Sequence, residues 1–200
     1  MTGGKVLPLR RAGTEAPQPE VSDATLLAAC ALGDGSALGV LFDRHHRAVE
    51  RFAGRLTYCD AEELADVVQT TFIEVNKAAK SFKGKSSVKT WIFSIAANVA
   101  RHHVRGEMRR RAMLAEVSSR PAPMSGAPDD AAAHRQLLER LREALAALPR
   151  ELRETFVLCD LEEVPGAEAA RAMGVREGTL WWRLHEARKR LRASVEGVLP

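Results

Sequence analysis

Little in this chain could hold a fold together covalently. Its 200 residues contain three cysteines, Cys30, Cys59 and Cys159, odd in number and far apart, with no C-x-x-C pair. That excludes a disulfide framework and fits a reducing, cytoplasmic setting. Aromatic residues make up only 5%, with a single tyrosine, and runs of valine and isoleucine are scarce. The β-branched and aromatic strands of an all-β fold are therefore missing. No apolar run approaches the ~18 residues needed to cross a bilayer. The N-terminal stretch has basic side chains but no apolar core before a cleavage site. Membrane insertion and secretion are not expected. Phosphate-cradling glycine loops, nucleophile elbows and dinucleotide turns are absent as well, so no catalytic residues are expected and the chain does not read as an enzyme. The histidine pairs His45-His46 and His102-His103 do not alter this. Neighbours on a helix point about 100° apart, and no H-x-x-x-H spacing occurs. Neither a metal nor a cofactor is expected.

What is present favours helices. Hydrophobic residues make up 46%, mostly Ala and Leu, set among Glu and Arg, the residues of highest helix propensity. Residues 1–22, rich in Gly, Pro, Thr and Glu, read as a disordered extension. A first helical domain spans 23–105. Asp23 is expected to cap a helix from Ala24 to Leu32, and Gly33-Asp34-Gly35 forms a turn. Further helices are expected over 36–58, 61–79 and 87–105. In the third helix Leu64, Val67, Val68, Phe72 and Val75 fall on one face with Thr71 among them. In the fourth, Val88, Trp91, Ile92, Ile95 and Val99 do the same. The composition then breaks over 106–133, where Pro121, Pro123 and Pro128 forbid a continuous helix. That segment reads as a flexible interdomain linker. A second helical domain covers 134–200. The fold class is thus all-α, with two small helical domains joined by a tether.

The end of the second domain is the most specific part. Gly166 to Met173 reads as a short helix, stopped where Gly174 takes the left-handed conformation at little cost. Leu180, Leu184, Ala187, Leu191 and Val195, spaced by four, three, four and four, form the apolar stripe of a second helix. Between Arg171 and Arg192 seven Lys or Arg (171, 176, 183, 188, 189, 190, 192) face two Glu (177, 186). Two helices on a short glycine turn, the second basic, make a helix-turn-helix whose second helix suits the DNA major groove.

Two constellations stand out in the first domain. Asp60, Glu62, Glu63 and Asp66 open the third helix with acid, which suits a helix N-terminus and equally a docking surface for a basic partner. The loop Ser81-Phe82-Lys83-Gly84-Lys85-Ser86-Ser87, followed by Lys89, Thr90 and Trp91, joins lysines for phosphates, hydroxyls for hydrogen bonds and aromatic faces for bases. Single-stranded DNA needs that combination. Asn98, Arg101 and Arg105 continue along the same helix, and asparagine can read a base edge through two hydrogen bonds. For Trp91 packing in the core is the competing role.

These motifs, in this order, resemble an extracytoplasmic-function sigma factor, the small two-domain branch of the sigma-70 family. The resemblance rests on Asp66 to Val75, on Phe82 to Ile92, on Ile95 to Ala100, on Leu148-Pro149, on Leu158 to Glu162, and on Gly178-Thr179 followed by Arg183 to Arg188. It implies that Asp66 and Gln69 dock on the clamp helices of bacterial core RNA polymerase. It implies that the Lys80–Ser87 loop and Asn98 hold a flipped base of the promoter −10 element, and that the helix from Glu177 reads the −35 element. On that helix and its approach the candidate contacts are Arg176, Glu177, Thr179, Trp181, Trp182, Arg183, His185, Arg188 and Lys189. Family members commonly carry Val, a basic residue and Ser after the Gly-Thr pair; here stand Leu180, Trp181 and Trp182, and tryptophan makes no bidentate guanine contact. No further domain is expected after residue 195, so the expected regulator is a separate anti-sigma factor. Two alternatives remain at this level: a stand-alone helix-turn-helix regulator, and a helical metal-dependent hydrolase built on the histidines.

Overall fold

The computed structural model describes residues 21–114 and 130–196, with side chains described over 21–107 and 139–194. Most of the expected N-terminal extension, the three linker prolines and Val195 lie outside these limits. Eight α-helices and no strands occur among the described residues: α1 (Asp23–Ala31), α2 (Gly35–Thr57), α3 (Ala61–Ala78), α4 (Val88–Leu114), α5 (Asp130–Ala147), α6 (Arg150–Phe156), α7 (Gly166–Met173) and α8 (Glu177–Glu196). Among them no helix is long and apolar enough to cross a membrane.

Local chemistry sets the boundaries. The cap of α1 is Ser22, whose hydroxyl accepts from the Thr25 amide at 3.2 Å, and not Asp23 as expected. The Asp23 carboxylate turns to α2, binding Arg44 at 2.8 Å and His45 at 2.7 Å. Partial burial pushes its pKa up, but those two partners outweigh this and hold it below the ordinary value. Asp34 and Asp60 cap α2 and α3. α4 continues to Leu114, nine residues past the expected end at 105. No proline interrupts it there, and the lone Gly106 costs only about 1 kcal/mol in a helix.

α1–α4 form a bundle around Leu27, Leu41, Val49, Phe52, Val75, Ile92 and Phe93, each 1% exposed or less. The Phe52 and Phe93 rings stack at 4.6 Å. Thr71 is fully buried on the apolar face of α3 because its hydroxyl donates to the Val67 carbonyl at 2.7 Å, which removes the penalty of an unpaired polar group.

The second half does not stand apart. Val157, Leu158, Val164, Ala169, Ala170 and Leu180 belong to the same continuous core as α1–α4. A smaller cluster of Leu145, Leu148, Leu152, Ala187 and Leu191 joins α5, α6 and α8. After α6 the chain widens into a π-turn over Val157–Leu161. The turn brings Asp160 to α8 and Glu162 to the first bundle.

Candidate nucleic-acid interface

The loop before α4 is held by its own hydroxyls. Ser87 caps α4, accepting from the Thr90 amide at 3.1 Å and donating to the Thr90 hydroxyl at 2.9 Å. Gly84 turns with φ 65°. Phe82 meets Trp91 edge to face at 5.3 Å, and Trp91 is half-buried, packed both against the core and against the loop. Lys83 and Lys85 are exposed at the loop tip. From Trp91, steps of seven, three and four along α4 reach Asn98, Arg101 and Arg105, which therefore share one helical face. The Asn98 side chain accepts from Arg101 at 2.9 Å. A cleft of about 250 Å³ beside this face is lined by Phe52, Phe93, Asn98 and Arg101 on one wall and by Glu154, Arg171 and Met173 on the other.

That second wall comes from the C-terminal half, and its carboxylates meet the residues expected to take DNA. Glu162, 6% exposed at its side chain, binds Arg55 at 2.8 Å and Lys89 at 3.5 Å. Glu154 binds Arg101 at 3.3 Å and Arg150 at 3.5 Å. Glu168 accepts from the Ser87 amide at 2.8 Å. Partial burial pushes the Glu168 pKa up, but hydrogen bonds from Thr90 and Ser87 outweigh this and hold it below the usual glutamate value. The Arg153 guanidinium donates to the Leu56 carbonyl at 3.1 Å. Of the expected −10 contacts, Thr90 is 2% exposed in this arrangement, with Ser87 and Glu168 as its partners. Lys89 and Arg101 are engaged by acid, whereas Lys83, Lys85 and Arg105 face solvent. Arg55, Glu154, Glu162 and Glu168 had no assigned role in the sequence; only their charge marked them.

On α3, Glu62, Asp66 and Gln69 are exposed. Asp60 is used as the cap, and Glu63 lies 3.8 Å from His103.

The helix-turn-helix forms as expected. Gly174 ends α7 in the left-handed conformation, φ 65° and ψ 31°, and Leu180, Leu184, Ala187 and Leu191 are all buried. Arg176, Glu177, Thr179, His185 and Lys189 are exposed and Arg183 half-buried. The two tryptophans separate. Trp181 lies over Gly166, where a Cβ would come within 2.5 Å of its ring, whereas Trp182 is 63% exposed and free. Arg188 makes a bidentate pair with Asp160 at 2.6 and 2.8 Å, tying α8 to the π-turn. Beside it, burial first and then Asp160 push the Cys159 thiol up to about 11.

Residues 41–110 match the Sigma-70 region 2 family and residues 138–191 match Sigma-70, region 4. The chain is 35% identical over 173 residues to the ECF RNA polymerase sigma factor SigM of Mycobacterium tuberculosis, covering 86% of this chain and 84% of that protein. Its structure is similar to that of CnrH, solved in complex with the cytosolic domain of CnrY, with a TM-score of 0.66, 26% identity, and 88% and 99% of the two chains covered. It shares its fold with the sigma factor RpoE from Bartonella quintana, solved with the anti-sigma factor NepR, at a TM-score of 0.62 and 24% identity over 80% and 98% of the chains.

Proposed function

Because this chain belongs to the sigma-70 family and is an RNA polymerase sigma factor of the extracytoplasmic-function type, we propose a division of labour among its own residues. Residues 23–105 form the domain that docks on core polymerase and takes the −10 element, 106–133 the linker, and 134–200 the domain that takes the −35 element. The exposed acids Glu62 and Asp66, with Gln69, make the polymerase-docking surface. Lys83 and Lys85 attract the non-template strand, Phe82 and Trp91 offer ring faces, and Asn98 reads an extruded base, whose unstacking costs a few kcal/mol. Trp182, Arg183, His185 and Lys189 meet the upstream duplex, where tryptophan fits a thymine methyl or a sugar. The protein makes and breaks no covalent bond itself, works in the cytoplasm, and is held in check by a separate anti-sigma factor. CnrH, solved with part of a second protein, is the similar case that supports this last point.

The observation that carries the proposal is the single face of α4 running from Trp91 through Asn98 to Arg105, continuous with a lysine-tipped loop. The carboxylates of Glu154 and Glu168 stand on that same face, and Glu162 holds Lys89 beside it. A strand that takes Lys89, Arg101 and Ser87 must displace these carboxylates, which parting of the two halves does, so the arrangement described is the unengaged one. The test is run-off transcription with core polymerase and genomic promoter fragments. Wild type directs discrete starts; Asn98→Ala still recruits polymerase but lowers open-complex formation. Equal loss at both steps would contradict the base-reading role of Asn98. A stand-alone regulator would instead bind an operator tightly without polymerase.

A further inference from the structure

The geometry points to a divalent transition-metal site of the zinc class, formed by Cys59, Glu63 and His103, that ties the start of α3 to α4. The Cys59 Sγ, a Glu63 carboxylate oxygen and a His103 ring nitrogen all lie within 4.8 Å of one another, and each residue is partly buried. His103 Nε2 is 3.8 Å from Glu63 Oε2. Ligands of tetrahedral zinc, at about 2.0–2.3 Å from the ion, stand about 3.5 Å apart. Small side-chain rotations therefore bring this trio to bonding distance.

A second observation indicates an occupant. His103 Nε2 is buried and has no hydrogen-bond partner, although buried polar atoms are nearly always paired. It faces a thiol and a carboxylate, the two groups with which it would share a borderline-soft cation. Together a thiolate and a carboxylate carry two negative charges, which balance a divalent ion. The thiolate selects against magnesium and calcium, which take oxygen ligands. The Thr57 hydroxyl, which donates to the Ala53 carbonyl at 3.0 Å, lies 3.0 Å from Cys59 Sγ and fixes where the sulfur sits. The residue between them, Tyr58, is held in the left-handed region at φ 53°, and that corner turns Cys59 towards the first turn of α3. The same cavity, about 270 Å³, is lined by Glu107, one turn along α4 from His103, and by Arg153. Arg153 does not compete for the ligands, because its guanidinium is directed to the carbonyls of Leu56, Ala146 and Leu148. The role is structural: three protein ligands lock the α2–α3 corner onto α4. The site does not depend on any DNA-contact role given above.

The probe is cobalt(II), titrated into the full-length reduced protein and followed by its absorption. One equivalent per chain is expected to bind, with a thiolate-to-cobalt charge-transfer band, tetrahedral d–d bands, and displacement of both by zinc. Cys59→Ser removes the charge-transfer band, and His103→Ala and Glu63→Gln weaken binding at least about tenfold. Cys30→Ser, Cys159→Ser and a His45→Ala/His46→Ala chain leave the spectrum unchanged. Zinc raises the thermal midpoint of wild type and not of Cys59→Ser, with circular dichroism reporting that each variant is folded. Absence of the charge-transfer band in wild type, or its survival in Cys59→Ser, overturns the site.

Discussion

Glu162 is the point at which the closed arrangement is most open to attack. Its carboxylate is 6% exposed and sits between Arg55 at 2.8 Å and Lys89 at 3.5 Å, both of which belong to the other half of the chain. Fully exposed ion pairs contribute about 0–1 kcal/mol, whereas removing one member of a buried pair costs about 3–5 kcal/mol. Here one partner is buried, but Arg55 and Lys89 are 35% and 44% exposed, so both cations return to water readily when the carboxylate is lost. The contribution of the triad therefore falls between the two classes, at about 1–2 kcal/mol. Glu162→Gln keeps the shape and removes the charge. It shifts the balance between closed and parted halves by about 5- to 30-fold. A strand that binds only the parted form has its apparent affinity reduced by the parted fraction, so the isolated variant takes a labelled single-stranded oligonucleotide more tightly by up to that factor. Fluorescence anisotropy reads this directly, and small-angle scattering reads the accompanying expansion. Glu139→Gln, whose pair with Arg142 is exposed and local, is the control. If Glu162→Gln binds no better than the control and scatters as wild type does, the clasp is not what hides the strand-binding face.

The other predictions test separate parts. Asp66→Arg reverses the charge at an exposed position of α3 and abolishes co-purification with core polymerase, while the circular dichroism melt stays within about 0.5 kcal/mol of wild type. Gly166→Ala places a Cβ 2.5 Å from the Trp181 ring and costs about 1–3 kcal/mol as the ring is displaced; adding Trp181→Ala removes that penalty, and thermal melting shows both. The pKa of Glu168 is lowered in the folded chain, so its contribution to holding the halves together is complete above the unfolded glutamate value and is lost as pH falls through the lower folded one. Loosening seen by interdomain fluorescence transfer therefore sets in below about pH 4, and Glu168→Gln loses this component of the response.

The features that were legible in the sequence share one property: they depend on neighbours a few residues away. The apolar face of α3, the Gly174 stop and the stripe from Leu180 to Leu191 are repeats of helical geometry, and each forms where the spacing placed it. The family was legible for the same reason, since its motifs are short and ordered. The failures are cases in which a distant group took a residue from its local partner. Asp23 is a good cap by type, but Arg44 and His45 draw its carboxylate away and Ser22 takes the role. Glu168 likewise meets Thr90, 78 positions before it, across the interface. Arg101 meets Glu154 and Arg55 meets Glu162 across 53 and 107 residues, separations at which no periodicity operates. Nor could spacing show how the two blocks meet: Val157, Leu158 and Ala169 complete the core of the first bundle. A flexible tether between two blocks says nothing of whether they touch. That is settled by where apolar surface is buried, and here part of the second block's apolar surface, at Val157, Leu158 and Ala169, is buried in the core of the first. On the function proposed above, the parting of the halves exposes this shared apolar surface as well as breaking the contacts of Glu154, Glu162 and Glu168. The exposed surface has to be covered by something else, and the polymerase that accepts the separated domains is the partner placed to cover it.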